Sequence, residues 1–127
     1  MSYVTELMAF PVLPGKEARA AEWLDMLVAR QPECVTTLDR EAMHFESIFR
    51  VHIGGRLHLS WFSVQGETGS HVDSSPFDVD KLHLEFWREC IDSSAPPLKF
   101  THVVNFVPPS IAEAIADRER MLAPGVG

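Results

Sequence analysis

The stretch from Met43 to Gln65 carries ionisable side chains whose spacing suits proton transfer. His44 and Glu46 lie two residues apart, and Arg50 follows further along. Residues two apart on a β-strand point to the same face, so these three groups are expected to share one surface. A histidine beside a carboxylate can move a proton on or off the carbon next to a carbonyl, and an arginine can stabilise the resulting enolate oxygen.

A second set of such side chains falls on a segment with helical periodicity. His83 lies on the apolar stripe of this segment, and Trp87 follows one turn later. If the helix covers the strand surface described above, both residues converge with it on a single pocket. We therefore predict a catalytic group formed by His83, Glu46, His44 and Arg50, and a substrate-binding wall formed by Trp61, Trp87, Gln65, Ile48 and Leu59.

Two other interpretations of the same residues remain open. Glu46 and Arg50 could form a structural ion pair, with His83 a hydrogen-bonded core histidine. Alternatively, His44, Glu46 and His83 would supply two imidazoles and one carboxylate, a set that suits a divalent transition metal. Short His-x-Glu strings are common by chance, so we predict no metal and no cofactor.

The element that positions most of these residues is a β-hairpin. Gly54-Gly55 suits a two-residue turn, because both central residues can take positive φ without a Cβ clash. Such a turn pairs Ile53 with Arg56 and, further back, Glu46 with Ser63. Side chains then alternate between a mixed face and an apolar face. The mixed face comprises His44, Glu46, Ile48, Arg50, His52, Leu57, Leu59, Trp61, Ser63 and Gln65; the apolar face comprises Met43, Phe45, Ser47, Phe49, Val51, His58, Ser60, Phe62 and Val64.

Periodicity along the chain predicts the order β-α-β-β-α-β followed by a further helix. This order is typical of an α+β, ferredoxin-like domain, with a four-stranded antiparallel sheet and both helices on one face. We expect a single domain over residues 1–122 and a flexible tail over 123–127. The polar connection from Gln65 to Ser75 is unusually long. The predicted elements are a strand at Tyr3–Val12, a helix from Lys16 to Arg30 resumed over 33–40, the hairpin, a helix from Pro76 to Ile91, a strand at Leu98–Val107 and a helix ending near Leu122.

Composition excludes several classes of protein. Eleven basic against eighteen acidic residues give a formal charge of -7, which disfavours binding to nucleic acid. No apolar run approaches the roughly 18 residues of a membrane-spanning helix. The N-terminal residues do not read as a signal peptide, so we expect a cytoplasmic protein with reduced cysteines.

The sheet face without helices is expected to contact a partner molecule. Its hairpin residues are largely apolar, and a partner molecule should cover them. His58 and His102 are expected on this face as buried or interfacial structural histidines. We therefore predict a homodimer.

The chain resembles a known family at several places. The first strand, followed by Leu13-Pro14-Gly15-Lys16-Glu17 and a helix, is similar to the opening of dimeric α+β barrel proteins, in which two ferredoxin-like sheets pack face to face. The strings Ile48-Phe49-Arg50, Ser60–Glu67 and His83–Asp92 resemble the bacterial family DUF6176. This resemblance covers most of the chain and implies a dimeric α+β barrel. It implies no activity, since that family has none assigned and the barrel hosts many chemistries.

These observations lead to a functional hypothesis with stated rivals. We expect a cofactor-independent cyclase or isomerase that acts on a small hydrophobic, polyketide-like carbonyl compound. A cofactor-free monooxygenase of an aromatic substrate is the rival within the same fold. From a different class, the chain could be a non-catalytic ligand-binding or structural dimer, so the sequence leaves open whether it is an enzyme.

Overall fold

The computed structural model describes residues 3–66 and 76–122. Most of the predicted long connection and the predicted tail lie outside these residues. The elements in chain order are β1 (Tyr3–Pro11), α1 (Glu17–Ala29), α2 (Gln31–Thr37), β2 (Met43–Ile53), β3 (Arg56–Gly66), α3 (Asp78–Cys90), β4 (Leu98–Lys99) and α4 (Pro109–Leu122).

The four strands form one antiparallel sheet in the order β2-β3-β1-β4. The α+β class and the four-stranded antiparallel sheet are therefore confirmed. The ferredoxin-like detail and the dimeric barrel stay predictions. Within the described ranges, no helix combines the length and the apolarity needed to cross a membrane.

The hairpin forms with the predicted register. Gly54 and Gly55 have φ values of 60° and 77°, which a Cβ would strain. Ile53 pairs with Arg56, and the ladder continues back to Glu46, which pairs with Ser63. The mixed face is therefore correct from Glu46 to Gln65.

The alternation breaks at one position, His44. A register shift between Met43 and Phe45 marks a β-bulge, in which two residues of β2 oppose one residue of β3. Because of this extra residue, Met43 borders the helix-covered side of the sheet. The prediction that placed Met43 with Phe45, and His44 with Glu46, is wrong for this reason.

Helices α1 and α3 cover the end of the mixed face that is nearest to the hairpin turn. Their apolar stripes meet β1 and β3 there, and Trp23 of α1 and Leu59 of β3 are fully buried. The remaining members of this buried cluster come from the same four elements and the turns that flank them. The cluster consists of Val12, Ala20, Trp23, Leu57, Leu59, Phe86, Cys90 and Ile91.

Several predicted element boundaries differ from the structure, most of all those of the last strand and of α3. The strand expected over Leu98–Val107 pairs with β1 only at Leu98 and Lys99, although the Phe100 amide still donates to the Leu7 carbonyl. An edge strand is held from one side only, so its ladder is readily cut short. Helix α3 begins at Asp78 rather than Pro76, because Phe77 has extended backbone.

Candidate functional site

A cavity of about 1030 Å³ opens beside this core, between the sheet and helices α1, α2 and α3. It lies toward the Met43 and Gly66 ends of the hairpin strands, where the space between the helices and the mixed face is not filled by side chains. Most of the predicted site residues line it. They are Glu46, Ile48, Arg50, Trp61, Gln65, His83 and Trp87.

Two predicted site residues lie elsewhere. Leu59 is fully buried in the core and does not border the cavity. His44, which the bulge displaces, contacts α4 instead: its Nδ1 accepts a hydrogen bond from Arg118 at 2.8 Å, and its Nε2 lies 3.2 Å from Oε1 of Glu119. His44 thus joins α4 to the hairpin and is not brought together with Glu46 and His83.

The hydrogen bond at His83 fixes the form of its imidazole. Nε1–H of Trp23 donates to Nδ1 of His83 at 3.0 Å. An indole nitrogen can only donate, so Nδ1 must accept, and a neutral His83 carries its proton on Nε2. The free nitrogen of His83 is therefore a hydrogen-bond donor.

The surroundings of His83 keep its ring uncharged. Its ring centroid lies 5.3 Å from Trp23, 6.0 Å from Trp61 and 6.1 Å from Trp87. Burial among these rings lowers the pKa of His83 to about 4, although the Asp80 carboxylate acts in the opposite direction. At neutral pH the side chain is a neutral donor rather than a cation.

Aromatic rings form the apolar wall of the cavity. Trp87 packs edge-on against Phe10, with ring centroids 4.6 Å apart, and lies 5.3 Å from Trp61. Because Trp23 packs behind them, all three tryptophans of the chain lie at or beside the cavity. Such rings offer a rigid surface for an apolar or aromatic ligand.

The charged residues of the lining are mostly acidic. Among the described residues, Arg50 is the one guanidinium of the lining. No salt bridge joins Arg50 to Glu46, so the ion pair considered from the sequence is not formed. Across the described ranges, 3–66 and 76–122, none of the lining carboxylates takes part in a salt bridge. These carboxylates are Glu6, Asp25, Glu41, Glu46 and Asp80.

Asp80 is the most enclosed of these carboxylates. It is 7% exposed, and its Oδ2 has no hydrogen-bond partner among the described residues. Buried polar atoms are nearly always hydrogen-bonded, and a buried charge without a partner is costly. Asp80 lies three residues before His83 on α3, so both project toward the same side of the helix.

The negative charge of Asp80 helps to raise the pKa of two nearby glutamates. Burial first, then the charges of Asp80 and Glu46, raise the pKa of Glu41 to about 7. Burial and Asp80 also raise the pKa of Glu46. Water reaches the Glu46 side chain through the open cavity, so this shift is limited by solvent, although protein surrounds the carboxylate on most sides.

Sequence reasoning missed Glu41 and Asp80. The signal for Asp80 was present, since it precedes His83 by three residues and therefore shares its side of a helix. Glu41 gave no signal, because the predicted helical segment extended to Arg40. In the structure α2 ends at Thr37, and a turn in which Ala42 has a φ of 52° carries Glu41 to the cavity.

The metal site considered from the sequence does not assemble, because His44 lies away from Glu46 and His83. Within the part of the chain that the structure describes, no three His, Cys, Asp or Glu side chains lie close enough to hold a metal ion.

The comparisons with known proteins give a family without an activity. The sequence model of DUF6176, described as a family of unknown function, matches residues 3–113. No curated protein and no solved structure matches the chain.

Proposed function

This chain belongs to DUF6176, a family of unknown function, and we propose that it is an enzyme that transfers a proton on a hydrophobic carbonyl compound bound in the cavity. The reaction would be an isomerisation or a cyclisation and would need no cofactor. The open cavity supports this proposal, because it places a neutral imidazole donor and carboxylates of raised pKa around one space.

His83 takes the role of the electrophile in this proposal. Its Nε2–H donates to the carbonyl oxygen of the substrate and stabilises the enolate oxygen as charge develops there. A neutral imidazole that is held by a fixed hydrogen bond needs no reorganisation during the reaction. Trp23 acts through His83 and is therefore a positioning residue.

The base is a carboxylate of the Glu41–Glu46 pair. It removes the proton from the carbon next to the carbonyl, and the electrons of the C–H bond move into the enolate. Returning the proton to another carbon completes an isomerisation. For a cyclisation, the enolate carbon attacks a second carbonyl carbon of the same molecule, the C=O π electrons move onto that oxygen, and the resulting alkoxide takes the proton back from the carboxyl group. A pKa near the working pH is optimal for such a base, and the raised pKa of Glu41 meets this condition.

Two further groups assist in the proposed site. Arg50 borders the same cavity and can add positive charge beside the enolate oxygen. Trp61 and Trp87 supply the surface against which the apolar body of the substrate packs. These assignments retain Glu46, Arg50 and His83 from the sequence and replace His44 by Glu41.

Deuterium incorporation tests the proposed function without knowledge of the natural substrate. A panel of hydrophobic ketones and 1,3-diketones is incubated with the protein in D₂O, and exchange at the carbon next to the carbonyl is followed by NMR. We expect at least one compound to exchange faster than in buffer. Glu41→Gln and Glu46→Gln together should remove roughly 10²- to 10⁴-fold of that acceleration, the usual contribution of a general base.

The matched control is Glu85→Gln, which changes an exposed glutamate of α3 that does not border the cavity. This variant should exchange at the wild-type rate. Exchange no faster than in buffer for every compound, or an unchanged rate in the double variant, would contradict the proposal. Binding without exchange would support the non-catalytic alternative.

We also propose that the protein is a homodimer built on the apolar sheet face. Phe45 is 55% and Val51 is 40% exposed on that face, and Phe100 and Phe106 are exposed on the extended chain after β4. The hairpin residues of this face include no Asp, Glu, Lys or Arg, so an apolar partner suits it. A second copy presents the same surface to itself in a two-fold contact.

Solution mass at micromolar concentration tests the dimer. We expect twice the mass of the chain for the wild type and a monomer for Val51→Glu. The neighbouring change His52→Glu, on the other face of the same strand, should leave the dimer intact. A wild-type monomer, or equal effects of both changes, would contradict the dimer.

A further inference from the structure

The acidic residues of the cavity differ from most other acidic residues whose contacts are described. Away from the cavity, carboxylates such as Glu33, Glu89 and Asp92 each bind an arginine or a lysine. The five carboxylates of the cavity form no such pair within residues 3–66 and 76–122. Like charges collected in a cleft focus the electric field and attract ligands of opposite sign.

Asp80 is the cavity carboxylate at which a ligand of opposite charge is expected to bind. Its residue is more than nine-tenths buried, it borders the cavity, and its Oδ2 lacks a hydrogen-bond partner in the described part of the chain. A buried carboxylate without a partner is compensated best by a charged donor, and such a donor can reach Asp80 where the residue borders the cavity.

The aromatic rings of the cavity indicate what kind of charged donor binds there. Trp61 and Trp87 border the same cavity as Asp80, and Phe10 packs against both of their rings. The faces of tryptophan rings attract organic cations. A metal ion does not suit the site, because no described group of three ligands converges on one point.

We infer that the ligand of the cavity carries a protonated amine, which pairs with Asp80 while its apolar body packs against Trp61 and Trp87. This inference rests on the proposed function and deepens it, because it makes the substrate a hydrophobic amino-carbonyl compound. Anionic substrates are disfavoured, since the described part of the lining sets one guanidinium, that of Arg50, against five carboxylates.

A matched pair of probes tests the amine. We compare 2-phenylethylamine with 2-phenylethanol, which have the same ring and chain and differ in charge, by titration of tryptophan fluorescence at pH 7.5. All three tryptophans lie at or beside the cavity, so their emission reports its occupation. We expect the amine to bind at least tenfold more tightly than the alcohol.

Two variants of α3 separate the effect of Asp80 from that of general negative charge. Asp80→Asn should abolish most of the preference for the amine and leave binding of the alcohol unchanged. Asp78→Asn removes the same charge from an exposed residue of the same helical turn and should keep the preference. Should Asp80→Asn fail to fold, Glu46→Gln on β2 serves instead and is expected to lower the preference about threefold.

The probe titrations and the deuterium exchange test the ligand class and the catalysis separately. Equal binding of the two probes, no binding of the amine, or a full preference in Asp80→Asn would overturn the assignment of the amine. Failure of the deuterium exchange for hydrophobic amino ketones as well as for the neutral ketones, with a confirmed preference for the amine, would remove the catalysis and keep the ligand class. Exchange of neutral ketones without a preference for the amine would do the reverse.

Discussion

The helix-covered face of the sheet has two ends that share one sequence pattern and differ in their packing. At the filled end, Leu57 and Leu59 lie buried beneath α1 and α3. At the cavity end, Glu46, Ile48 and Trp61 line an open space. The filled end is apolar and closed, whereas the cavity end holds five carboxylates that form no salt bridge within residues 3–66 and 76–122.

The contrast shows which end stabilises the fold and which end is available to a ligand. Burial of apolar side chains at the filled end contributes to the free energy of unfolding. Burial and the charge of Asp80 raise the pKa values of Glu41 and Glu46 at the cavity end, so ionisation of these two glutamates reduces that free energy. Such a local cost is typical of sites that bind or react.

The largest effect is expected at the filled end. Leu59→Ala should lower the free energy of unfolding by roughly 2–5 kcal/mol, because it removes a fully buried side chain and leaves a cavity. Ile48→Ala at the cavity end should cost about 1 kcal/mol, since Ile48 already borders open space. Urea unfolding measures both, and similar costs would contradict the distinction between the two ends.

A smaller effect is expected for Glu41→Gln, which should raise the free energy of unfolding by an amount that depends on pH. The pKa of Glu41 is about 7 in the folded protein and near 4.5 when unfolded, so ionisation destabilises the fold as pH rises from about 4.5 to about 7. Glu41→Gln should therefore gain little at pH 4.5 and roughly 1–2 kcal/mol at pH 7.5, with cavity water reducing the gain.

His83 acts in the opposite direction over nearly the same range. Its pKa is lowered to about 4, so stability is lost as pH falls from 6.5 toward 4. The difference between Glu41→Gln and wild type at each pH cancels this contribution. Urea unfolding at pH 4.5, 6 and 7.5 provides that difference, and a value independent of pH would refute the raised pKa of Glu41.

Substitutions of two aspartates on α3 should differ by about 1 kcal/mol in their effect on the free energy of unfolding. Asp80→Asn and Asp78→Asn both remove a negative charge from the first turn and lose its attraction to the helix dipole. Only Asp80 is buried without a partner for Oδ2, so Asp80→Asn should be the more stable variant by about 1 kcal/mol. Thermal unfolding at pH 7.5 tests the order, and the reverse order would show that Asp80 is compensated.

The smallest effect is expected for a carboxylate outside the cavity. Its substitution should lower the free energy of unfolding, whereas Glu41→Gln should raise it. Glu33 accepts hydrogen bonds from Arg30 on the surface, and this contact lowers the pKa of Glu33. Glu33→Gln should therefore destabilise slightly at pH 7.5, and the loss should shrink at high salt. A gain in stability like that of Glu41→Gln would remove the contrast between paired and unpaired carboxylates.

The sequence predicted the sheet and much of the cavity wall because these depend on local patterns. Gly54-Gly55 set the register of the hairpin, and alternation placed Glu46, Arg50 and Trp61 on one face. Helical periodicity then placed His83 and Trp87 over that face. These features follow from spacing alone.

The remaining features depend on geometry that spacing does not contain. The bulge at His44 inserts one residue into a ladder that otherwise alternates regularly, and it exchanges the faces of Met43 and His44. The role of His83 as a donor depends on Trp23, sixty residues away along the chain. Alternation also cannot tell which end of a face the helices fill.

Carbon-13 NMR of the glutamate carboxyl groups tests most directly whether the cavity end holds mutually repelling, unpaired carboxylates. We expect Glu41 to titrate with a pKa of about 7 in the wild type and to move toward its ordinary value of 4.5 in Asp80→Asn and in Glu46→Gln. A pKa of Glu41 near 4.5 in the wild type, unchanged by either substitution, would contradict the distinction between the filled end and the cavity end.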